Sequence, residues 1–203
     1  ALALVGATFS AERIQKDCGP ELSKSLNLSL LLQCQVQQLP KKDYVLRDPR
    51  IKAVIAVNPI VGSVFGPEGF KDIQAPVMIV SGTQDSIAPP LAEQITPFTW
   101  LPKIEKRLIL IDGATHFSGS DGLQPSEKVF VPPKELIGRT PDLARSYLRG
   151  LGLAFFQTYV QQQPKSAIFL TPASIKAQSM QPLLLRGITS LSSEELEQMK
   201  NAL

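Results

Sequence analysis

Three short apolar runs divide the middle of the chain at regular intervals. They cover residues 53–57, 77–81 and 107–111, and large aliphatic or β-branched side chains dominate them. A continuous apolar run of this length is typical of a strand that is buried on both faces, as in a parallel sheet. Each run is separated from the next by enough chain for a helix and its loops, which is the pattern of βαβ units. We therefore predict an α/β fold with a parallel sheet flanked by helices.

Helical patterns fill the chain before the first run and between the runs. An apolar, Ala- and Leu-rich opening predicts a buried helix, and leucines at helical spacing predict a longer helix that ends at Pro40. Ser10 is suited to cap a short helix between these two. The predicted helices cover residues 1–9, 11–17, 21–39, 67–73 and 90–101.

The chain after the third run changes character. A long polar loop with several Gly and Pro residues leads to Thr140 and Pro141, which open a long helix as its N-cap and first residue. This helix should pack on the sheet through its apolar face, made of Leu143, Tyr147, Leu151, Phe155 and Tyr159. We expect one domain, with a core over residues 1–163 and a helical tail over 164–203. The last tail helix begins with a capping box, Ser192 to Glu195.

Composition excludes several classes of partner. The chain has 203 residues, 43% of them hydrophobic, which suits one globular domain with a sizeable core. Its net charge of +3 is too small to indicate nucleic acid or an anionic membrane surface as partner. No apolar run approaches the ~20 residues that a transmembrane helix needs.

The two cysteines, Cys18 and Cys34, leave two alternatives open. Together with a single histidine they are too few for a structural zinc site. They either form a disulfide between adjacent helical segments, which would indicate an oxidising compartment, or remain two buried thiols. The compartment is therefore unknown from sequence, and an extracytoplasmic location is favoured only if the two are bridged.

Candidate chemistry follows two of the predicted strands. Asp85 lies just past the second strand, and His116, the only histidine, lies just past the third. Ligands of open parallel sheets bind beyond the carboxyl ends of the strands. An Asp that accepts from one imidazole nitrogen fixes the tautomer, so that the other nitrogen can take a proton from a nucleophile. Alone, Asp85 is a common helix-capping turn residue and His116 a common core histidine, but together their positions favour catalysis.

Two other residues compete for roles in this chemistry. Asp112, four residues before His116, is a rival acid, although an Asp-Gly pair is typical of a turn. Ser63 lies in G-S-V-F-G, which is similar to the nucleophile elbow G-x-S-x-G but has the wrong spacing. No serine of the chain has glycine at both elbow positions. The sequence therefore contains an acid and a base without an identified nucleophile.

Four stretches carry a resemblance to a known family. They read D-P-R-I-K-A-V-I-A-V-N-P, A-P-V-M-I-V-S-G-T-Q-D-S-I-A-P, I-T-P-F-T-W-L-P and L-I-D-G-A-T-H-F-S, and extend over about residues 46–118. They resemble the α/β-hydrolase superfamily, in its branch of dienelactone hydrolases, cutinase-like polyesterases and platelet-activating-factor acetylhydrolases. The opening A-L-A-L-V-G-A is similar to the helix that follows the nucleophile elbow in these enzymes. The chain beyond Ser118 matches much less clearly.

The resemblance implies a serine-dependent carboxylic ester hydrolase that needs no metal or organic cofactor. Asp85 would be the triad acid and His116 the general base. In the acetylhydrolases the acid follows the preceding strand, where this chain has Asn58, so the departure favours Asp85. The residues implied at the mouth of the site are Ile87, Phe117, Pro59 and Ile60. Phe98 and Trp100 would line an acyl pocket or, as an equally open alternative, pack in the core.

The missing elbow leads to an expectation about the rest of the enzyme. We expect the nucleophile and the oxyanion hole to lie upstream of Ala1, in an N-terminal half that pairs with the first strand. The chain alone would then be inactive, and its exposed sheet edge would favour association, including homo-oligomers. A rival hypothesis is a non-catalytic module that binds a ligand or partner in the same cleft. Fold alone does not distinguish an esterase from a thioesterase, peptidase or lipase.

Overall fold

The computed structural model describes residues 1–20, 22, 26–40, 42, 44–120 and 132–202. Most of the predicted polar loop after His116, residues 121–131, lies outside them, as do residues 21 and 23–25 of the predicted third helix. The described strands form one sheet in the order β1-β2-β3-β4. These strands are β1 (Val54–Val57), β2 (Val77–Gly82), β3 (Lys106–Asp112) and β4 (Leu184–Ile188).

The first three strands are parallel and confirm the α/β prediction. Val54 of β1 pairs with Val77 of β2, which in turn pairs with Lys106 of β3. Every residue of β2 is buried, as expected for a central strand with helices on both faces. Because the strands are parallel, their carboxyl ends meet at one edge of the sheet, and the turns after β1, β2 and β3 come together there.

The fourth strand was not predicted and makes the sheet mixed. β4 pairs antiparallel with β3, so that Leu185 lies opposite Ile111 and Gly187 opposite Ile109. The segment 164–203 therefore contains a strand as well as helices. Its residues alternate between exposed and buried at the start, with Leu185 buried between two exposed neighbours. Arg186 and Gly187 interrupt the apolar pattern, which hid this edge strand from a search for continuous apolar runs.

Helices lie on both faces of the sheet. Short 3₁₀ segments occur at Leu2–Val5 and Gln35–Gln38 and a longer one at Pro164–Leu170, and a π-helical turn at Leu91–Ile95 leads into α4. The described α-helices are α1 (Ala11–Asp17), α2 (Leu28–Cys34), α3 (Gly62–Gly69), α4 (Thr96–Trp100), α5 (Lys134–Ile137), α6 (Pro141–Tyr159), α7 (Pro172–Ala177) and α8 (Ser193–Ala202).

Three helix predictions before β2 require correction. The opening helix ends at Val5, because Gly6 turns the chain with φ 117° and passes close to the Asp72 carbonyl, 2.5 Å from where a Cβ would lie. Within the described part of the predicted third helix, α2 begins at Leu28, since Asn27 accepts a capping hydrogen bond from the backbone of Leu30, and it gives way to a 3₁₀ turn at Gln35. The helix predicted over 67–73 instead covers Gly62–Gly69.

The C-terminal helices confirm most of their sequence signals. In α6, Tyr147, Leu151 and Phe155 are buried against the sheet, in a cluster with Met78 and Ile109. Thr140 occupies the N-cap position, but its hydroxyl makes no capping bond and has no hydrogen-bond partner among the described residues. The predicted N-cap position of Thr140 and the helix start at Pro141 are therefore confirmed, although the side chain of Thr140 makes no capping bond.

The predicted capping box of α8 is present in both directions. The backbone N–H of Ser192 donates to the Glu195 carboxylate at 2.7 Å, and the Glu195 N–H donates to Ser192 Oγ at 3.1 Å. The hydrogen bond from the Ser192 backbone N–H, and next that with the Ser192 side chain, lower the pKa of the Glu195 carboxyl.

A disulfide joins Cys18, just past α1, to Cys34, the last residue of α2. Their Cα atoms are 5.5 Å apart, and both residues are buried. This observation decides between the two alternatives that the sequence left open. None of the described helices is both long enough and apolar enough to span a bilayer.

Candidate functional site

The turn after β2 holds Asp85 in a fixed orientation. The N–H groups of Ile87 and Ala88 donate to Asp85 Oδ1, at 2.9 and 2.8 Å. The Asp85 N–H donates to the Gly82 carbonyl at 3.2 Å, which closes the turn. Asp85 is only 4% exposed, so its second oxygen, Oδ2, is oriented by packing and by these backbone contacts.

His116 contacts that second oxygen. Its Nδ1 lies 2.7 Å from Asp85 Oδ2, and its side chain keeps 19% of its surface exposed. An ionised carboxylate can only accept a hydrogen bond, so Nδ1 carries the proton and the neutral ring keeps its lone pair on Nε2. Nε2 has no hydrogen-bond partner among the described residues. The ring is therefore oriented on one side and available on the other.

The turn that carries His116 is held by its neighbours. Gly82 lets this turn approach the end of β2, because a Cβ there would lie 2.5 Å from the Ala114 carbonyl oxygen. The Thr115 N–H donates to Ser118 Oγ at 2.8 Å. The Thr115 hydroxyl then donates to the Leu136 carbonyl in α5 at 2.6 Å. His116 therefore lies in a turn whose flanking residues, Thr115 and Ser118, are hydrogen-bonded to each other.

Asn58, which occupies the position of the acid in the acetylhydrolases but cannot act as one, connects the two turns. It is 7% exposed and follows β1. Its Nδ2 donates to the His116 carbonyl at 2.8 Å, and its Oδ1 accepts from the Gly82 N–H at 2.9 Å. Its backbone has φ 43°, a region that few residues other than Gly and Asn adopt. The Asn-Pro pair at a strand end was the only sequence signal for this residue.

Glu93, in the π-helical turn, is a second buried polar residue that the sequence did not predict. It is 4% exposed and accepts four hydrogen bonds. Two come from the Ser29 hydroxyl and the Gln33 amide at 2.8 and 2.9 Å. The others come from the N–H groups of Val61 and Gly62 at 2.7 and 2.8 Å. This carboxylate therefore anchors α2 and the loop after β1. None of its four hydrogen bonds involves His116.

The residues predicted at the mouth of the site have different environments. Phe117 packs its ring edge-on against His116, with centroids 4.9 Å apart. Ile87 is half-buried and donates its N–H to Asp85. The Pro59 carbonyl accepts from the Gln94 side-chain amide at 2.7 Å. Ile60 lines a shallow open pocket of about 440 Å³ with residues of α2 and the turn after it.

The two aromatic residues proposed for an acyl pocket pack in the core. Phe98 is fully buried, and Trp100 packs against Phe70 with ring centroids 5.7 Å apart. α4 runs back towards the amino end of the sheet, where the Leu101 carbonyl accepts from Lys106 Nζ at 2.7 Å. This direction takes Trp100 away from the turns that carry Asp85 and His116. Both residues therefore have the core packing that the sequence left open as the alternative to an acyl pocket.

The rival candidates are engaged elsewhere. Asp112 pairs with Arg186 of β4 at 3.0 Å and makes no hydrogen bond to His116. Its side chain belongs to the pairing of β3 with β4. Ser63 lies in the first turn of α3 and donates to Asp17 at 2.8 Å. The structure brings neither Asp112 nor Ser63 to His116.

Two residues with shifted pKa values lie near the amino end of β3, opposite the end of the sheet that carries Asp85 and His116. Burial lowers the pKa of Lys106, the first residue of β3. Burial, and next the hydrogen bond that Tyr159 donates to Glu105, raise the pKa of Tyr159 to about 12. Within the described residues no group of three or more His, Cys, Asp or Glu could hold a metal ion. At the carboxyl end of the sheet, Asp85 and His116 are the acid and base that the structure brings into contact.

Comparison with known proteins adds little beyond the fold. No protein-family model matches the chain, and no curated protein matches it. Among solved structures it is similar to an alpha-beta serine hydrolase homologue from Coxiella burnetii, with 22% identity and a TM-score of 0.27. The likeness covers 44% of this chain and 36% of that one, so it spans little more than a third of that protein. Such a likeness carries no argument about activity. The strands and helices themselves establish an α/β fold.

Proposed function

We propose that Asp85 and His116 are the acid and base of a Ser-His-Asp triad in a carboxylic ester hydrolase. The observation that carries this proposal is the 2.7 Å contact between Asp85 Oδ2 and His116 Nδ1. It leaves Nε2 of a partly exposed ring available, at the edge of a parallel sheet where ligands bind. A pair held in this way performs the acid–base work of acyl transfer, because each proton that leaves the nucleophile needs an oriented acceptor.

The reaction would proceed through an acyl-enzyme. His116 Nε2 takes the proton of a serine hydroxyl while the serine oxygen attacks the ester carbonyl. Asp85 stabilises the resulting imidazolium through Nδ1–H. His116 then gives the proton to the leaving alcohol as the ester C–O bond breaks. In the second half, water loses a proton to Nε2 as its oxygen attacks the acyl carbonyl. The bond between the acyl carbon and the serine oxygen then breaks, the serine oxygen takes the proton back from Nε2, and the carboxylic acid is released.

We propose further that the nucleophile lies upstream of the 203 residues. The five buried serines of the described residues are engaged away from His116 Nε2: Ser29 with Glu93, Ser63 with Asp17, Ser81 with Gln94, Ser118 with the Ile137 carbonyl and Ser166 with Gln157. None has the G-x-S-x-G context in which a serine is exposed on a strained turn. An N-terminal half of the same enzyme would supply the serine and the oxyanion hole.

The surroundings support a small or lipid-like ester as substrate. Ile87, Phe117 and Ile60 are half-buried apolar residues on the turns and loop next to the pair. The branch of dienelactone hydrolases, polyesterases and acetylhydrolases is the finer form of the proposal. The disulfide between Cys18 and Cys34 supports an extracytoplasmic location, where such bonds persist. Homo-oligomers remain part of the proposal, since β1 is an edge strand of the sheet.

One observation favours a second candidate function, a non-catalytic module that binds a ligand in the same cleft. Nε2 of His116 has no serine partner among the described residues. In that case the Asp85–His116 pair would orient a hydrogen-bonding group toward a ligand without reacting with it.

The test compares this chain with a longer one that includes the residues encoded upstream of Ala1. The 203-residue chain should hydrolyse p-nitrophenyl acetate and butyrate no faster than buffer, whereas the longer chain should hydrolyse them. In the longer chain, His116→Ala and Asp85→Asn should each lower kcat by about 10⁴-fold, the loss typical of a triad with a missing or misoriented base.

Asp112→Asn is the matched control, since it neutralises another strand-end carboxylate that contacts Arg186 and not His116. Its activity should stay at the level of the unmodified longer chain. Full activity of the His116→Ala variant would contradict the triad. A longer chain that folds, lacks G-x-S-x-G and shows no hydrolysis would favour the non-catalytic module.

A further inference from the structure

We propose that Asn58 is a positioning residue whose side-chain amide sets the contact between Asp85 and His116. This residue belongs to neither of the two turns that carry the pair. It follows β1, whereas Asp85 follows β2 and His116 follows β3. The consequence for catalysis rests on the proposed function, but the effect on the contact itself does not.

One amide group connects the ends of all three parallel strands. Its oxygen accepts from the N–H of Gly82, the last residue of β2, at 2.9 Å. Its nitrogen donates to the carbonyl of His116 at 2.8 Å and approaches that of Thr115 at 3.4 Å. The acid turn begins directly after Gly82, and the base is His116 itself. Asn58 therefore fixes the separation of the two turns across the width of the sheet.

The backbone of Asn58 indicates that the amide has a specific task. With φ 43° it lies in the left-handed region, which glycine adopts at almost no cost and asparagine more readily than most other residues. If only the turn mattered, glycine would suit this position best. Asn58 is also buried, with only 7% of its surface exposed. A buried amide needs hydrogen-bond partners for both its oxygen and its nitrogen. Gly82 and His116 provide them.

The position requires an amide and not a carboxylate. The groups that face Nδ2 are the carbonyl oxygens of Thr115 and His116, which only accept hydrogen bonds. An ionised aspartate at residue 58 would keep an acceptor for the Gly82 N–H but would turn a second acceptor toward these oxygens. The variant Asn58→Asp therefore changes a single donor into an acceptor at nearly constant shape.

The contact between Asp85 and His116 is sensitive to such a change. At 2.7 Å it is already a short hydrogen bond, and a donor–acceptor distance beyond about 3.5 Å would abolish it. Without Asn58, the His116 carbonyl would lose its side-chain donor, and only the contacts of Thr115, Phe117 and Ser118 would hold the turn. We expect the imidazole then to sample both tautomers, because His116 would no longer be held within hydrogen-bonding distance of the fixed Asp85 carboxylate.

The single histidine makes this proposal directly measurable in the 203-residue chain. Its imidazole ¹⁵N resonances need no assignment, and at a pH where the ring is neutral they report which nitrogen is protonated. Wild-type protein should show the proton on Nδ1, exchanging slowly with water. In Asn58→Gly and Asn58→Asp the Nε2–H tautomer should appear, and the Nδ1 proton should exchange about tenfold faster, the factor that corresponds to one net hydrogen bond.

Asn58→Gly separates the amide from the backbone, since glycine tolerates the same φ. Its matched control is Gln162→Gly, which makes the same change at the other described non-glycine residue with positive φ, an exposed position with φ 55°. The control should leave the ¹⁵N spectrum unchanged. If Asn58→Gly fails to fold, Asn58→Asp decides, because its shape and backbone preference stay close to those of asparagine.

A wild-type ¹⁵N pattern in Asn58→Asp, or in a folded Asn58→Gly, would overturn the positioning role. The two proposals can fail separately. If the wild-type tautomer depends on Asn58 but the longer chain does not hydrolyse esters, the triad is wrong and the positioning role stands. In an active longer chain, Asn58→Asp should lower kcat with little change in KM, since Asn58 acts on the base and not on the substrate.

Discussion

Two buried carboxylates, Asp85 and Glu93, lie close together in the sequence after β2 but use their oxygens for opposite purposes. Each is 4% exposed. Asp85 uses one oxygen for two backbone N–H groups and turns the other toward His116. Glu93 uses both oxygens for fixed donors, two side chains of α2 and two N–H groups of the loop after β1. One carboxylate keeps an oxygen for a titratable group, and the other keeps none.

The difference explains how a buried charge can be structural or functional. A buried carboxylate is costly unless hydrogen bonds compensate its lost hydration. Four donors compensate Glu93 completely, so its removal should cost stability. Asp85 is compensated by two backbone groups and by a histidine that is partly exposed. A neutral isostere of Asp85 should therefore retain the fold while the orientation of His116 is lost.

The largest expected effect is that of Glu93→Ala on stability. The substitution leaves the buried N–H groups of Val61 and Gly62 without an acceptor, and each such group costs about 1–3 kcal/mol. It also removes one of the two acceptors of the Ser29 hydroxyl and of the Gln33 amide, which keep Asn27 Oδ1 and the Ser29 carbonyl. We expect the free energy of unfolding to fall by about 4 kcal/mol or more, at the extreme of single substitutions. Urea unfolding followed by circular dichroism measures this loss.

Glu135→Ala removes an exposed carboxylate and should change the same free energy by less than about 0.5 kcal/mol. If Glu93→Ala does not fold, the milder Glu93→Gln should lose about 2 kcal/mol, because one oxygen remains an acceptor. A Glu93→Gln variant as stable as wild type would remove the structural role of this carboxylate.

The next effect concerns α2, which Glu93 holds through Ser29 and Gln33 and which the disulfide holds through Cys34. The double variant Cys18→Ala, Cys34→Ala should lower the free energy of unfolding by about 3 kcal/mol, since a bridge over 16 residues restricts the unfolded chain. Urea unfolding with and without reductant should give the same loss for the wild type. Two titratable thiols in the native, unreduced protein would contradict the bridge.

The smallest expected effect on stability is that of Asp85→Asn. Asparagine keeps an oxygen for the N–H groups of Ile87 and Ala88, so the loss should be about 1 kcal/mol or less. Its amide nitrogen would face Nδ1 of His116 as a donor, and the imidazole proton should therefore move to Nε2. Urea unfolding and the ¹⁵N spectrum measure the two effects on one sample. A loss as large as that of Glu93→Ala would end the contrast between the two carboxylates.

Local patterns predicted the elements whose signal lies within a few consecutive residues. The apolar runs of β1, β2 and β3 mark strands buried on both faces, and the structure has them within two residues of the predicted bounds. The capping box before α8 is equally local. β4 was missed because it is an edge strand, and an edge strand takes its identity from the neighbour with which it pairs.

Sequence patterns could not predict the buried polar contacts either, because their partners are distant in the chain. Asn58 and Gly82 are 24 residues apart in sequence, and Ser29 and Glu93 are 64 apart. Nothing in the local sequence distinguishes a buried Glu with four donors from a solvated one. Trp100 shows the same dependence, since its residue type suited a pocket and the core equally, and the direction of α4 packs it against the core.

By itself, the sequence determined the α/β class and the position of one acid and one base after consecutive buried strands. These follow from the period and length of apolar runs, which depend on neighbouring residues alone. Only the tertiary structure decided that Asp85, and not Asp112, meets His116, and that Asn58 joins their turns. Those contacts depend on strand register and on the close approach that Gly82 permits, and both arise only when distant parts of the chain pack together.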